Sequence, residues 1–183
     1  MTHSSPASKG SSVLTVRVSK TVREKLDAES KMSGMTLNTL ISQILTRHTE
    51  WDRFAKDVGF ASITKAFLRS VLENIDDKTI STIAVTTCRG AMRDAMIYMS
   101  GKMEYTAFLK TLDMWLNAAN VPYRHTTDED GRDGYIVQHQ LGYKWSIYFG
   151  TVVNSVLNEI GYRTNGQITT NDSVSFTIVQ QAR

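Results

Sequence analysis

Residues 11–48 read SSVLTVRVSKTVREKLDAESKMSGMTLNTLISQILTRH. The opening segment alternates. Leu14, Val16 and Val18 fall on one side of an extended chain, and Val13, Thr15, Arg17 and Ser19 on the other, so one face is apolar and one mostly polar. From Lys20 onward the period becomes helical. Ser19 stands where an N-cap is needed, Val22 and Leu26 form an i, i+4 pair, and Gly34 occupies the position at which a helix commonly ends in a left-handed residue. Thr36 is the expected N-cap of a second helix, whose stripe is Leu37, Leu40, Ile41, Ile44 and Leu45, continuing through His48 to Trp51.

A single half-apolar strand ahead of two short helices leaves a row of backbone donors and acceptors without partners, and no second strand signal occurs before residue 121. The least costly completion is the same strand from a second copy. Pairing across a two-fold axis gives an antiparallel ribbon with Leu14, Val16 and Val18 against the helices and Thr15 and Arg17 outward. A unit of roughly 40 residues has too little core to fold alone, so the expected state is an intertwined homodimer.

Strand, helix, Gly34-Met35-Thr36 turn and second helix together resemble the ribbon-helix-helix DNA-binding domain of the Arc and MetJ repressors, over residues 12–50. In that family a two-stranded ribbon enters the major groove of double-stranded DNA. The resemblance implies base contacts from Val13, Thr15 and Arg17, with Arg17 suited to guanine O6 and N7 and Thr15 to a thymine methyl or a base acceptor. It implies phosphate contacts from Thr36, Leu37 and Asn38 at the start of the second helix, and from Lys20. One departure is Glu29, at a position where the family's first helix usually carries an apolar residue.

Charge distribution agrees with a polyanion partner for this segment. Residues 1–50 carry seven Lys and Arg (Lys9, Arg17, Lys20, Arg23, Lys25, Lys31, Arg47) against Glu24, Asp27, Glu29 and Glu50, whereas residues 51–183 carry equal numbers of basic and acidic side chains. The tail THSSPASKGSS has the composition of a disordered segment. The expected organisation is thus a disordered tail at 1–11, a ribbon-helix-helix domain at 12–52 and a second domain at 53–183.

Within that second domain, apolar stripes at helical spacing fall on Ile63, Phe67, Val71 and Ile75; on Ile80, Ala84, Ala91, Ala95 and Met99; and on Phe108, Leu109, Leu112, Trp115, Leu116 and Ala119, all expected to be core. After NVP (120–122) the period changes. YRHTT and GYIVQHQL flank the turn-rich DEDGRD as one hairpin, a helix follows with Trp145, Phe149, Val152, Val153, Val156, Leu157 and Ile160 on one face, and GQITT with SVSFTIV form a second hairpin around Asn171-Asp172. The order predicts an α+β fold with an antiparallel sheet, for oligomerisation or ligand sensing. It resembles, in topology alone, small-molecule sensor domains of the 4-vinyl-reductase type. Trp115, Tyr123, Tyr135, Trp145 and Tyr148 are candidates for pocket lining or for core.

His125 and His139, on the two arms of the first hairpin, are weak metal-ligand candidates: nickel-responsive repressors join a ribbon-helix-helix unit to a histidine-rich domain, but there is no tight His and Cys cluster here. No Glu closes DEDGRD as a calcium loop, and there is no Walker loop, G-x-S-x-G or C-x-x-C, so no cofactor and no enzyme activity are expected. The single cysteine, Cys88, the absence of a membrane-spanning apolar run and the lack of a signal-peptide core give a cytoplasmic expectation with no membrane partner. The function expected is sequence-specific double-stranded DNA binding as a homodimer or higher oligomer, in a transcriptional regulator of the repressor kind with a small-molecule effector as a further candidate partner. The alternatives are a plasmid or viral DNA-maintenance protein, or a scaffold or enzyme that uses the ribbon only to dimerise.

Overall fold

Two compact units, Met1–Leu45 and Thr46–Arg183, make up the chain in the computed structural model, which describes residues 12–57 and 60–181, with the side chains of 88 and 89 outside that description. The expected tail at 1–11 lies outside the described residues.

In the first unit, α1 (Lys20–Met32) starts where Ser19 Oγ accepts a hydrogen bond from the Val22 amide at 3.3 Å. It ends in a turn closed by Gly34 at φ +64°, with the Met35 amide donating to Ser30 O at 3.0 Å. Thr36 caps α2 (Leu37–Arg47) by accepting from the Thr39 amide at 3.1 Å. Leu40 is buried, while Glu29 faces solvent. Residues 12–19 have no regular secondary structure in the single chain, in contrast to the expected strand. A strand exists only through a ladder with a second edge, and among the described residues these pair with none.

The second unit is mixed helix and sheet. A wide π-turn at His48–Asp52, in which the Arg53 amide reaches back to His48 O, precedes α3 (Arg53–Asp57). Then come α4 (Lys65–Glu73), α5 (Asp77–Thr87), a second wide turn at Cys88–Met92, α6 (Arg93–Ser100) and α7 (Tyr105–Ala118). Strands β1 (Tyr123–Thr127) and β2 (Asp133–Gln138), helix α8 (Tyr143–Glu159) and strands β3 (Tyr162–Thr169) and β4 (Ser173–Gln180) complete the chain. The four strands form one antiparallel sheet in the order β1-β2-β4-β3, so the two hairpins join along β2 and β4 with Tyr135 opposite Phe176 and Val137 opposite Val174. These four side chains and Ile178 are buried, and Ile136 on the opposite face of β2 is exposed. One face of the sheet therefore carries the core.

Helix α8 crosses that core, and its expected stripe is buried from Trp145 through Leu157, with Ile160 packed at the edge. Gly150 lies against β3: a Cβ there would come within 2.4 Å of Gln167 Nε2. Strand β3 begins four residues earlier than GQITT, because Gly161, at φ +81°, ends α8 and lets the chain turn at once into the sheet. The expected core stripe that starts at Ile63, ahead of α4, and runs along that helix is a correction. Ile63, Phe67 and Val71 are exposed, and the neighbouring row, Leu68 and Leu72, packs on the core. An i, i+4 pattern says which residues share a face, not which face is covered.

Candidate functional site

At the start of the chain, Val13, Thr15, Arg17 and Lys20 are all exposed, with Lys20 Nζ 3.9 Å from Glu24 in a surface ion pair of little energetic weight. On the opposite parity, Leu14, Val16 and Val18 are 69%, 63% and 51% exposed, and Val22 and Ile44 are also uncovered. Thr36 and Asn38 are exposed at the start of α2 and Leu37 is half-buried. Thr36 Oγ1 takes the Thr39 amide and the first backbone bond runs from the Leu40 amide to Thr36 O, so the amides of Leu37 and Asn38 precede the helical ladder and have no intrahelical carbonyl, the arrangement at which helix starts receive anions.

The two histidines are not brought together. His139 follows β2 and is completely buried. Its Nδ1 accepts from the Leu141 amide at 3.0 Å and its Nε2–H faces Ser146 Oγ at 2.7 Å, while Ser146 donates onward to Thr170 O at 2.7 Å. Burial pushes its pKa down to about 4, with Lys65 adding to the effect and Asp172 opposing it. His139 is thus a neutral ring that joins the end of β2 to α8 and the β3–β4 turn.

His125, on β1, belongs to a separate polar network. Its Nε2 lies 2.9 Å from Asp133 Oδ1, and its Nδ1 lies 3.2 Å from the Tyr135 hydroxyl and 3.5 Å from Asp113 Oδ2. Asp133, only 7% exposed, also accepts from Thr127 Oγ1 at 2.9 Å and from the Tyr105 hydroxyl at 2.6 Å. Burial works against its charge, but the hydrogen bonds from Tyr105, His125 and Thr127 outweigh it and hold the pKa below the ordinary carboxylate value. Burial, and then the negative charge of Asp113, raises the pKa of Tyr135, whose hydroxyl donates to Asp113 Oδ1 at 3.0 Å. The two carboxylates approach opposite edges of the imidazole, so the three groups do not converge on one point where a cation could sit. Among the described residues no group of three or more His, Cys, Asp or Glu side chains could hold a metal ion. What the network does is fasten α7, through Tyr105 and Asp113, to β1 and β2.

Sequence reasoning missed Asp113 and Asp133. Asp133 carried a signal: it has the parity of Tyr135 and Val137, so a carboxylate was directed at the core side of β2. Of the aromatic candidates, Tyr123 and Tyr135 stack face to face with ring centroids 6.3 Å apart, Trp145 stacks on Phe149 at 4.8 Å, and Trp115 and Tyr148 line a cavity. At the tip of the first hairpin Asp128 Oδ1 accepts from the amides of Asp130 and Arg132, which uses the acidic loop as a turn. No described helix is long and apolar enough to cross a membrane. No family model matches the chain, and no curated protein or solved structure is significantly similar to it.

Proposed function

We propose that the protein is a homodimeric, sequence-specific double-stranded DNA-binding protein of the ribbon-helix-helix kind, acting as a transcriptional regulator. The observation that carries this reading is the alternation of residues 13–18 ahead of a capped two-helix unit, with Leu14, Val16 and Val18 uncovered in the single chain. Such a segment lacks both a ladder partner and a cover for its apolar side, and a second copy supplies both. Val13, Thr15 and Arg17 then face outward on a twisted two-stranded ribbon whose width suits the major groove. Lys20 and the first-turn amides of α2 approach the flanking phosphates.

Titration of the full chain against a random-sequence duplex pool tests the proposal. Affinity that falls by an order of magnitude or more between about 50 and 200 mM salt supports phosphate contact. No binding at the lowest salt removes the DNA reading and leaves dimerisation as the segment's only role.

A further inference from the structure

The second unit contains a cavity of about 60 Å³ between α7, α8 and the two wide turns. Trp51 comes from the first wide turn, Ala91 and Met92 from the second, Thr111 and Trp115 from α7. Wide turns of this kind occupy well under about 1% of residues in globular proteins and concentrate at functional sites, so two of them flanking one cavity is a notable coincidence of placement. Among the described residues, none that lines the cavity carries a charge.

Thr111 is the second observation. It is completely buried, it lines the cavity, and its Oγ1 has no hydrogen-bond partner among the described residues. A hydroxyl inside a helix ordinarily returns to the carbonyl one turn earlier, as those of Ser81, Thr82, Thr86 and Thr87 do on α5. Thr111 makes no such bond. A buried donor and acceptor without a partner, at the wall of a largely apolar recess whose other hydroxyls belong to Thr87, bonded to Ile83 O, and Tyr148, is the arrangement that recognises a ligand with one polar atom.

We propose that this cavity binds the slender apolar end of a neutral small molecule whose hydroxyl group pairs with Thr111 Oγ1. The recess is small and open on one side, which admits a short alkyl segment rather than a whole ring. The remainder of a larger ligand extends through the mouth, where Phe60 is partly exposed beside Trp51, with ring centroids 5.3 Å apart. A carboxylate or ammonium at the same position is rejected, because no charged lining group compensates its desolvation. The inference concerns the second unit alone and stands whether or not the first unit binds DNA.

The test is a titration of the full chain, labelled at Ala, Met, Thr and Val methyls, with 1-butanol, with butyrate and with xenon, read by methyl NMR. Expected are saturable shifts at Ala91, Met92, Ala95 and Thr111 with 1-butanol and with xenon, and none with butyrate. Thr111→Val, which keeps the volume and removes the hydroxyl, weakens 1-butanol roughly three- to tenfold and leaves xenon unchanged. Ala91→Leu, at the exposed rim, blocks both and keeps the proposal testable if the first variant does not fold. Failure of both butanol and xenon to saturate the shifts means that the cavity holds solvent only and overturns the proposal. Equal binding of butyrate, or unchanged butanol affinity in Thr111→Val, overturns it as well.

Discussion

The Tyr105 hydroxyl donates to Asp133 Oδ2 at 2.6 Å, joining the first turn of α7 to the first residue of β2 across 28 residues of chain. Asp133 simultaneously serves His125 and Thr127, so its carboxylate on β2 is the shared acceptor of three side chains from two other elements, α7 and β1. Asp133→Asn is expected to destabilise the second unit by about 2–4 kcal/mol, since it removes a charge-assisted acceptor and leaves buried donors competing for one oxygen. Tyr105→Phe removes one donor and is expected to cost about 1 kcal/mol. Urea denaturation followed by tryptophan fluorescence measures both. Equal losses in the two variants contradict the hub role of Asp133.

His139 sets an acid limit. Its folded pKa of about 4 lies below the ordinary histidine value of about 6.5, so between those pH values the unfolded chain holds a proton that the folded chain does not. Stability from this group is complete above about pH 6.5 and is lost as the pH falls to 4. The loss is expected to be about 1–3 kcal/mol. Denaturation midpoints across this window measure it, and His139→Gln should flatten the slope there. A slope that is unchanged in the variant assigns the acid sensitivity to other groups.

Gly34→Ala tests the turn between the helices. Gly34 has φ +64°, and a Cβ there meets nothing within 4 Å, so the cost is that of the backbone conformation alone. A loss of about 1–2 kcal/mol is expected, read from thermal unfolding of the full chain. No measurable change means that the turn relaxes to a right-handed form.

The two faces of residues 13–18 should separate assembly from recognition. Val16→Asp places a carboxylate on the apolar side and is expected to weaken the dimer by at least about 100-fold, seen by sedimentation. Val13→Asp, on the other side, should leave the dimer intact and weaken duplex binding through repulsion from phosphate. A dimer insensitive to Val16→Asp removes the ribbon.

Local chemistry was legible in the sequence, and chemistry between distant elements was not. Ser19, Gly34 and Thr36 were readable as helix ends because each acts on an amide or a dihedral angle within three residues. The hairpin at DEDGRD was readable because Asp128 and Gly131 complete the turn among themselves. The partner of His139 was not, since Ser146 arrives from a helix that sequence places only approximately. The wide turns at His48–Asp52 and Cys88–Met92 were also hidden: an apolar stripe reads the same whether the backbone closes four or five residues back, and packing decides which. The exposed row Ile63, Phe67 and Val71 had the same periodicity as a buried one.

Base reading by the paired strands makes one demand above all others, that Arg17 determine preference among sequences rather than overall affinity. After selection of bound sites from random duplex DNA, the measurement is the ratio of affinities for the selected site and a scrambled site, with wild-type protein and with Arg17→Ala. The expected result is a loss of about 1–3 kcal/mol on the selected site, little change on the scrambled one and an unaltered dimer, so that the ratio collapses. An Arg17→Ala dimer that keeps the wild-type ratio contradicts recognition by the ribbon.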